Sequence, residues 1–520
     1  MVDLTTASFE LGMSLLKHRS TGYRKAAGQF LTPPTLAHFA AEQLGTIQNG
    51  SRVLDPAIGS GTLTCAVIER LIQAGQPLEI WLEGYEIDPE LCRIAEEMLQ
   101  QATDVAARHG IRVHFQVQCC DFILEKMKPA APLFDTEQTN CSYSHIIVNP
   151  PYFKINQVTD YGRAAKGQIK GHTNIYTLFM ALTMKLLQPD GTACFIVPRS
   201  FCSGTYFADF RQQIISETSP TSVHVFEARE GNFDGVLQEN VVFSFQRKPL
   251  AQRITISTSP TLTDLPEQIT IREVDMQHFL GKRGKKLFFR LPTHELDEQI
   301  LEALDSWSGT LYSYDLEVST GPIVPFRLRP FLMDVVEVGK SVPLLWLHHV
   351  KAQTLLLNAV NGRQKPRAFS TAPEAQPWLT PTANYVLLRR FTAKEEARRL
   401  VAAPFLADNF PYPWVGLENH LNYIYRKNNS LTAIEAVGIA GLLNCGLLDR
   451  YFRIGNGNTQ VNATELRAMP LPAWEVICAV GERLSAGNMT SYLDEIVTDT
   501  LKEHDLLPKI FPIIKETRFA

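Results

Sequence analysis

The sequence contains no apolar run long enough to cross a membrane and no N-terminal signal peptide. We therefore expect a cytoplasmic protein without a membrane partner. Its nine cysteines include no C-x-x-C pair and no zinc-type spacing with histidine, which predicts reduced thiols and no metal site. The net charge of −4 excludes a uniformly basic nucleic-acid binder, but it leaves room for a local basic face.

The glycine-containing turn at residues 55–61 lacks two features of common nucleotide-binding loops. It has no third glycine, as a dinucleotide fingerprint requires, and no Lys-Ser/Thr pair, as a phosphate loop requires. The turn follows a short apolar strand and precedes a helix predicted over residues 62–74. Gly59 and Gly61 allow a ligand to approach the backbone closely, and the carboxylate of Asp55 suits a cationic ligand better than a pyrophosphate.

Two further acidic residues stand where predicted strands end. The strand Ile80–Ile87 contains Glu86 near its end, a position suited to accepting hydrogen bonds from ribose hydroxyls. The strand His114–Cys120 is followed by Asp121, whose carboxylate can accept from an adenine amino group. Acids at such positions can also be helix N-caps, and that alternative is strongest for Asp88, which precedes a proline.

The most informative stretch follows the short apolar strand Ile146–Val148 and reads Asn149-Pro150-Pro151-Tyr152. Two successive prolines end the strand, so Asn149 stands at its carboxyl end, where open α/β sheets bind their ligands. The side-chain oxygen of Asn149 and the carbonyl of Pro150 can accept both hydrogens of an exocyclic amino group. The Tyr152 ring can stack on a flat heterocycle. An ordinary turn with a packing tyrosine is the alternative.

A polar, basic loop is predicted over residues 154–172, directly after this turn. Its basic side chains are Lys154, Arg163, Lys166 and Lys170, against one acid. Such a loop beside an active site suits a phosphate backbone, and a solvated surface loop is the alternative.

Seven candidate strands, of which the first five alternate with helices, predict a doubly wound α/β sheet that ends in a hairpin-like antiparallel strand. Beyond residue 250 the periodicity weakens and no ligand-binding turn is found. We therefore predict an α/β domain over residues 1–250, a mixed α+β domain over 251–472 and a helical segment over 473–520.

The motif order resembles that of the gamma-class adenine-N6 DNA methyltransferases of type II restriction-modification systems. The matching motifs are Gln29-Phe30-Leu31-Thr32-Pro33, Asp55-Pro56-Ala57-Ile58-Gly59-Ser60-Gly61, Glu86, Asp121, Asn149-Pro150-Pro151-Tyr152 and Pro198-Arg199-Ser200-Phe201. They cover roughly residues 25–250. The resemblance implies a seven-stranded Rossmann-like methyltransferase sheet, S-adenosylmethionine as cofactor, and a DNA target-recognition domain over residues 251–472.

The resemblance also implies roles for individual residues. The implied cofactor-binding residues are Thr32, Asp55, Ala57, Gly59, Gly61, Glu86, Asp121 and Phe179. Asn149 and Pro150 would hold the amino group of an adenine that has been flipped out of the duplex. Tyr152 would stack face-on against the flipped base, and Phe201 would support the base from the side.

Local basic charge in the C-terminal half favours contact with double-stranded DNA. Residues 323–399 carry twelve Lys or Arg against five Asp or Glu. Arg327, Arg389 and Arg390 are the candidate contacts, although a solvated surface remains the alternative for any single residue. Arg389 and Arg390 are predicted beside a strand over Asn384–Leu388 and a helix over Ala393–Ala402. We expect a monomer that protects host DNA from a separate restriction endonuclease.

Other acceptors and a non-enzymatic role stay open at this point. Cytosine N4, an RNA base amine and a protein glutamine also present an amino group on a planar group, although cytosine-N4 enzymes more often have serine in place of Asn149. A DNA-binding specificity module with an inactive methyltransferase fold is disfavoured because Asp55, Glu86, Asn149 and Tyr152 are all intact.

Overall fold

The computed structural model describes residues 3–515 except 21, 23, 25–27, 128–141, 167, 170–173, 228–238, 285, 358–364, 393–395, 458–459 and 488–489, with backbone alone at 205, 283 and 490. The chain divides into two units, Met1–Thr293 and His294–Phe519. Among the helices in these ranges, none is both long and apolar enough to cross a bilayer.

The first unit is built on one nine-stranded sheet. Its strands are β1 (Arg52–Asp55), β2 (Leu78–Glu86), β3 (Ile111–Cys119), β4 (Tyr143–Val148), β5 (Leu187–Pro198), β6 (Ser219–Phe226), β7 (Asn240–Gln246), β8 (Arg253–Ser259) and β9 (Thr270–Asp275). Their order across the sheet is β3-β2-β1-β4-β5-β7-β6-β8-β9. Strands β1 to β5 pair in parallel, and β7 runs antiparallel to both β5 and β6. The predicted doubly wound α/β sheet with an antiparallel strand is confirmed. The sheet has nine strands and not the predicted seven, and the antiparallel β7 lies within it and not at its end.

Helices and one hairpin complete this unit. The helices are α1 (Leu4–Lys17), α2 (Pro34–Glu42), α3 (Thr62–Ala74), α4 (Pro89–Arg108), α5 (Phe122–Lys126), α6 (Asp160–Ala165), α7 (Ile175–Leu186), α8 (Ser200–Ser203), α9 (Ala208–Glu217) and α10 (Met276–Phe279). The hairpin pairs β10 (Leu280–Arg283) with β11 (Lys286–Phe289). Two apolar clusters surround the sheet strands, and strand β4 contributes to both through alternate residues, Ile146 to one and Ile147 to the other.

The sheet topology brings the motif residues to one edge. The strand order reverses between β1 and β4, which is the position where doubly wound sheets bind ligands. Asp55 ends β1, Glu86 ends β2 and Asn149 follows β4, while Asp121 stands just beyond β3. Because these strands are parallel, their carboxyl ends share that edge.

The N-terminal helix α1 packs behind the glycine turn. The backbone N–H of Leu4 and the hydroxyl of Thr5 each donate to the buried Glu69 carboxylate at 2.6 Å. The hydroxyl of Ser8 donates to the carbonyl of Ser60 at 2.7 Å. These bonds stabilise the rear of the turn that carries Gly59 and Gly61.

The predicted domain boundary at residue 250 is wrong. Strand β8 pairs in parallel with β6, and β9 pairs antiparallel with β8, so the sheet continues past that residue. The buried rings of Phe279 and Phe289 also pack against Phe243 of β7. The first unit therefore ends at Thr293. Strands β8 and β9 extend the sheet but carry no ligand-binding motif. The weaker periodicity beyond residue 250 therefore suggested a domain boundary that does not exist there.

The second unit combines two sheets, a small strand pair and a helical layer. Its strands are β12 (Leu316–Thr320), β13 (Leu332–Met333), β14 (Ser341–Leu345), β15 (Val350–Lys351), β16 (Thr354–Leu355), β17 (Ala368–Ser370), β18 (Thr380–Pro381), β19 (Tyr385–Arg389), β20 (Ala402–Phe405), β21 (Trp414–Leu417) and β22 (Leu421–Arg426). The sheets have the orders β12-β22-β19-β20 and β13-β17-β14-β21-β18, and β15 pairs with β16. The helices are α11 (Leu296–Asp305), α12 (Ala433–Asn444), α13 (Gly446–Gly455), α14 (Ala463–Arg467), α15 (Trp474–Ser485) and α16 (Leu493–Glu503).

Helices α12 and α15 pack closely, so the predicted separation of residues 473–520 is wrong. A Cβ on Gly438 would lie 2.1 Å from the Ile477 carbonyl oxygen, and a Cβ on Gly481 would lie 2.1 Å from the Ile434 carbonyl oxygen. Glycine at both positions lets the two backbones touch. Both helices belong to one apolar cluster with strands β12 and β19, which makes the C-terminal segment part of the second unit.

The predicted strand over Asn384–Leu388 is found as β19, but the helix predicted over Ala393–Ala402 is wrong within the described residues 396–402. The backbone N–H groups of Arg399 and Leu400 each donate to Asp449 Oδ1 at 2.6 Å. Helix-type bonding is therefore replaced by a tertiary contact with a fully buried carboxylate, and strand β20 begins at Ala402.

A chain that ends at residue 250 should not fold stably, whereas one that ends at residue 293 should. The shorter chain loses the strand that covers β6 and the two buried rings, Phe279 and Phe289. Burial of one such ring contributes about 1.5–3 kcal/mol, against a typical total of about 5–15 kcal/mol. Thermal unfolding by circular dichroism and limited proteolysis would compare the two. Equal, cooperative unfolding of both chains would contradict the revised boundary.

Candidate active site

A cavity of about 650 Å³ opens at the carboxyl edge of strands β1 to β4. It brings together eight of the residues that the sequence assigned to function: Thr32, Ala57, Gly59, Glu86, Asp121, Asn149, Lys154 and Phe179. Asp55 and Gly61 are buried next to this wall, one residue before Pro56 and one before Thr62, both of which line it.

The glycine turn is tied to the end of strand β2. Gly59 and Gly61 have φ values of +59° and +93°, a region that side-chain-bearing residues rarely adopt. The N–H of Gly59 donates to Glu86 Oε2 at 3.0 Å, and the N–H of Asp88 donates to Glu86 Oε1 at 2.9 Å. Burial raises the pKa of Glu86, and these two donors partly offset that effect.

Asp55 has a completely buried carboxyl group, and one of its two oxygens lacks a hydrogen-bond donor in the described part of the chain. Its Oδ1 accepts from the Ala57 N–H at 3.2 Å, whereas Oδ2 has no hydrogen-bond partner among the residues described. Burial raises the pKa of Asp55 to about 8, and the nearby Glu86 carboxylate adds to the shift. A cationic ligand group would satisfy the orphaned oxygen and compensate the charge.

The acids after β2 and β3 were predicted either to bind a ligand or to cap a helix. Asp88 is the N-cap of helix α4, as its alternative assignment predicted, and it accepts from the N–H groups of Glu90 and Leu91. Asp121 caps helix α5 through the Leu124 N–H at 2.8 Å, yet it also lines the cavity. A carboxylate has enough lone pairs to cap a helix and accept from a ligand as well.

Two phenylalanine rings form an apolar wall of the cavity beside Asp121. Phe122 and Phe179 are nearly parallel, with ring centroids 5.6 Å apart and an interplanar angle of 20°. Both line the cavity. Phe179 thus offers a ring to the cavity, while its place beside the cofactor's adenine stays a prediction.

The side chain of Asn149 is oriented by the N-terminal segment. Its Nδ2 donates to the Phe30 carbonyl oxygen at 3.2 Å and to Thr32 Oγ1 at 3.0 Å. A backbone carbonyl can only accept, so the amide nitrogen must face Phe30 and the amide oxygen must face the other way. The geometry thus presents Oδ1, the acceptor, away from the N-terminal segment.

Tyr152 contacts that oxygen directly. Its hydroxyl lies 2.5 Å from Asn149 Oδ1 and 2.8 Å from the Ile196 carbonyl oxygen at the end of β5. The single proton of this hydroxyl is thus shared between two acceptors. If a ligand donated to Asn149 Oδ1, the Tyr152 hydroxyl could donate to the Ile196 carbonyl oxygen alone. The Tyr176 ring stands edge-on to Tyr152, with centroids 6.2 Å apart.

The placement predicted for Phe201 is wrong in this structure. Its side chain has no exposed surface and packs among Phe210, Phe243 and Phe289. Among the described residues, Tyr176 connects it with the site, because the Tyr176 ring contacts both Phe201 and Tyr152. An aromatic residue after Pro198 therefore contributes to the apolar core here, because the chain turns into helix α8 and directs the ring inward.

Sequence reasoning missed how tightly the N-terminal segment is held against the site. Gly28 has a φ of +66°, and a Cβ there would lie 2.4 Å from Pro151 Cβ, so the segment passes directly over the proline turn. Gln29 Nε2 donates to Asp88 at 2.9 Å, and Arg19 pairs with the same carboxylate. These donors lower the pKa of Asp88 although its burial acts in the opposite direction. In the sequence, the polar residues that precede helix α2 were the only feature that pointed to this contact.

The basic loop after the proline turn is exposed where the structure describes it. Lys154, Arg163 and Lys166 all have exposed side chains, and Lys170 lies outside the described residues. Arg163 forms a salt bridge with Asp160 and donates to the Val158 carbonyl oxygen at 3.1 Å. The described part of the loop thus carries three exposed basic side chains, of which Arg163 is paired with an acid.

In the second unit the three predicted DNA contacts differ in accessibility. Arg327 is exposed and lies over the exposed ring of Phe326, at 5.3 Å from its centroid. Arg389 is half-buried, donates to the Val350 carbonyl at 2.8 Å and pairs with Glu396, which contradicts its assignment to DNA. Burial also lowers the pKa of Arg389. Arg390 is half-buried and donates to the Asn419 carbonyl at 3.1 Å.

Comparison with known proteins identifies the family. A family model described as the Eco57I restriction-modification methylase matches residues 84–233. The chain is 33% identical over 475 residues to the type II methyltransferase M.BsuBI of Bacillus subtilis, with 90% of this chain and 91% of that protein covered. This chain belongs to the type II methyltransferases of restriction-modification systems.

Other relatives of this type II methyltransferase agree. It is 30% identical over 494 residues to M.PstI of Providencia stuartii, with 92% of this chain and 94% of that protein covered. Its fold is similar to that of the type IIL restriction-modification enzyme MmeI, solved in complex with DNA, with a TM-score of 0.52 and 13% identity over 94% of this chain and 72% of that chain.

S-adenosylmethionine is the cofactor of this methyltransferase, and the cavity fits it. The cofactor carries an ammonium, two ribose hydroxyls and an adenine. The cavity edge provides an orphaned buried carboxyl oxygen on Asp55, the carboxylate of Glu86, and the aromatic wall beside Asp121. Positive φ values at the glycine turn leave its backbone open to close approach.

Cofactor binding should release protons at pH 7. With a pKa of about 8, the Asp55 carboxyl is mainly protonated there, and an approaching ammonium favours its ionised form. Affinity should therefore fall as pH decreases below 8, by up to about tenfold per pH unit. Calorimetric titrations in buffers of different ionisation enthalpy would measure the protons released.

Asp55→Asn is the matched control for this measurement. The amide mimics the neutral carboxyl, so the variant should fold normally, release no proton and lose the pH dependence of affinity. Binding enthalpies of the original chain that do not vary with buffer would show that Asp55 does not meet the ammonium.

Proposed function

We propose that this chain is a site-specific DNA adenine-N6 methyltransferase. It transfers the methyl group of S-adenosylmethionine to an adenine that is flipped out of a short recognition sequence in double-stranded DNA. The modification protects host DNA from a separate restriction endonuclease, and the chain acts as a monomer. The relatives M.BsuBI and M.PstI are named as type II methyltransferases, which supports this assignment.

The observation that carries the proposal is the fixed orientation of the Asn149 amide. With Nδ2 bonded to Phe30 and Thr32, Oδ1 is the end available to a substrate donor. An adenine amino nitrogen is a poor nucleophile because its lone pair is delocalised into the ring. Accepting its two hydrogens at Asn149 Oδ1 and at the Pro150 carbonyl oxygen draws the nitrogen toward a tetrahedral geometry and localises that lone pair.

The cofactor supplies an activated methyl group, so the protein's task is to bind and align. Asp55 pairs with the ammonium, Glu86 accepts from the ribose hydroxyls, and Asp121 accepts from the cofactor's adenine amino group. Thr32, Ala57, Gly59, Gly61 and Phe179 complete the cofactor site. Proximity and in-line orientation supply much of the rate.

The remaining contacts place the target base and the DNA. Tyr152 stacks on the flipped adenine while its hydroxyl remains bonded to Ile196, so the ring is held by its far end. The exposed Lys154, Arg163 and Lys166 bind phosphates beside the site, together with Lys170. In the second unit the exposed Arg327 is the strongest candidate for DNA contact, and Arg390 is a weaker one.

The function is tested by incubating the purified protein with unmethylated genomic DNA and S-adenosylmethionine, followed by single-molecule sequencing for modified bases. N6-methyladenine confined to one short motif would establish both reaction and recognition sequence. N4-methylcytosine would correct the acceptor base. If the DNA stays unmodified although the protein binds the cofactor, the acceptor would be an RNA or protein amine instead.

Asn149→Ala should lower the methyl-transfer rate by about 10²–10³-fold or more, since removing one preorganised hydrogen-bonding group has an effect of that size. The affinity for S-adenosylmethionine should fall much less, because the proposed cofactor contacts lie on other residues and Asn149 supports only Thr32 among them. Single-turnover assays with radiolabelled cofactor, alongside calorimetric cofactor titrations, would separate the two effects. Loss of cofactor binding together with activity would mean that Asn149 is structural.

A further inference from the structure

Tyr161 reaches into the cofactor cavity from the basic loop. It lies in helix α6, eight residues beyond Phe153, and its ring lies 6.1 Å from that of Phe153. Its hydroxyl donates to Asp121 Oδ2. Both Tyr161 and Asp121 line the cavity. No sequence motif had indicated this position for Tyr161.

The two oxygens of Asp121 are held from opposite sides. Oδ1 accepts from the Leu124 N–H at 2.8 Å, within the chain that follows strand β3. Oδ2 accepts from Tyr161, which belongs to a different part of the chain. Burial raises the pKa of Tyr161, and Asp121 raises it further, so the phenol remains a donor at every physiological pH.

We propose that Tyr161 is a positioning residue that fixes the Asp121 carboxylate for the adenine of S-adenosylmethionine. A carboxylate held by two donors keeps its remaining lone pairs in one direction, towards the cavity. The ligand's amino group then meets a preset acceptor. The same bond attaches helix α6 to the cofactor wall.

That attachment links the cofactor to the DNA-facing loop. Residues 153–161 line the cavity through Phe153, Lys154, Ile155, Asn156 and Thr159, as well as Tyr161. Thr159 caps helix α6 by accepting from the Gly162 N–H, which stabilises the turn that carries Tyr161. A bound cofactor packs against this segment and holds it in place. The same loop carries the exposed Arg163 and Lys166, and the exposed Lys154 stands at the cavity itself.

Cofactor and DNA should therefore bind with positive coupling, and this part rests on the proposed DNA substrate. Coupling is reciprocal, so each ligand raises the affinity for the other by the same factor. We expect a factor of about tenfold, within the roughly 5–150-fold range that such couplings span.

The first experiment concerns the cofactor site alone, on the full-length chain. S-adenosylhomocysteine and its inosine analogue, which presents an oxygen in place of the amino group, are titrated by calorimetry. The original chain should bind the adenine compound at least about tenfold more tightly, the effect of one hydrogen bond to a charged group. Tyr161→Phe retains the ring but should reduce this ratio about fivefold or more. Tyr492→Phe, an exposed tyrosine, is the matched control and should leave it unchanged.

The second experiment measures DNA affinity with and without S-adenosylhomocysteine for the same three proteins. The original chain and Tyr492→Phe should bind DNA about tenfold more tightly with the compound present, and Tyr161→Phe should show a ratio near one. An unchanged adenine/inosine ratio in Tyr161→Phe, or no discrimination by the original chain, would overturn the proposal. Equal coupling in all three proteins would also overturn it.

Failure of the proposed function would look different. If the original chain neither binds nor methylates DNA, the substrate assignment is wrong. The adenine/inosine ratio, which involves no DNA, would still decide whether Tyr161 positions Asp121.

Discussion

A hydrogen bond that can be made in only one way governs the catalytic centre. The Phe30 carbonyl can accept but not donate, so it fixes which end of the Asn149 amide faces away from the N-terminal segment. The proline turn then holds Asn149 at the strand end, and Gly28 allows the N-terminal segment to lie against that turn. A segment more than a hundred residues earlier in the chain thus determines whether Asn149, the proposed catalytic residue, offers an acceptor or a donor.

Electrostatics explains why the cofactor edge accepts a cation. Asp55, Glu86 and Asp121 approach one cavity, and like charges in a buried site disfavour one another. Backbone N–H groups hold Glu86 and Asp121, whereas Asp55 has an incomplete set of donors and the raised pKa described above. The cavity therefore favours a cationic group beside Asp55, which would satisfy the orphaned oxygen and stabilise the ionised carboxylate.

Local sequence was sufficient for the parts that depend on local constraints. Proline pairs, glycine turns and apolar runs predicted strands β1 to β7, the helix over residues 62–74 and eight residues of the cavity. Sequence reasoning failed where tertiary contacts decide the conformation. The backbone N–H groups of Arg399 and Leu400 donate to Asp449 instead of forming helical hydrogen bonds. The side chain of Arg389 donates to the Val350 carbonyl oxygen. Phe201 lies in the core, and Tyr161 meets Asp121 across forty residues, which no periodicity encodes.

The order of the two units along the chain bears on how the protein emerges from the ribosome. Every strand of the nine-stranded sheet precedes residue 294, and so does each residue that lines the cavity. At about 5–20 residues per second, synthesis of the second unit takes on the order of 10–45 s after the first has been made. The cofactor cavity can thus be complete while the second unit is still being translated.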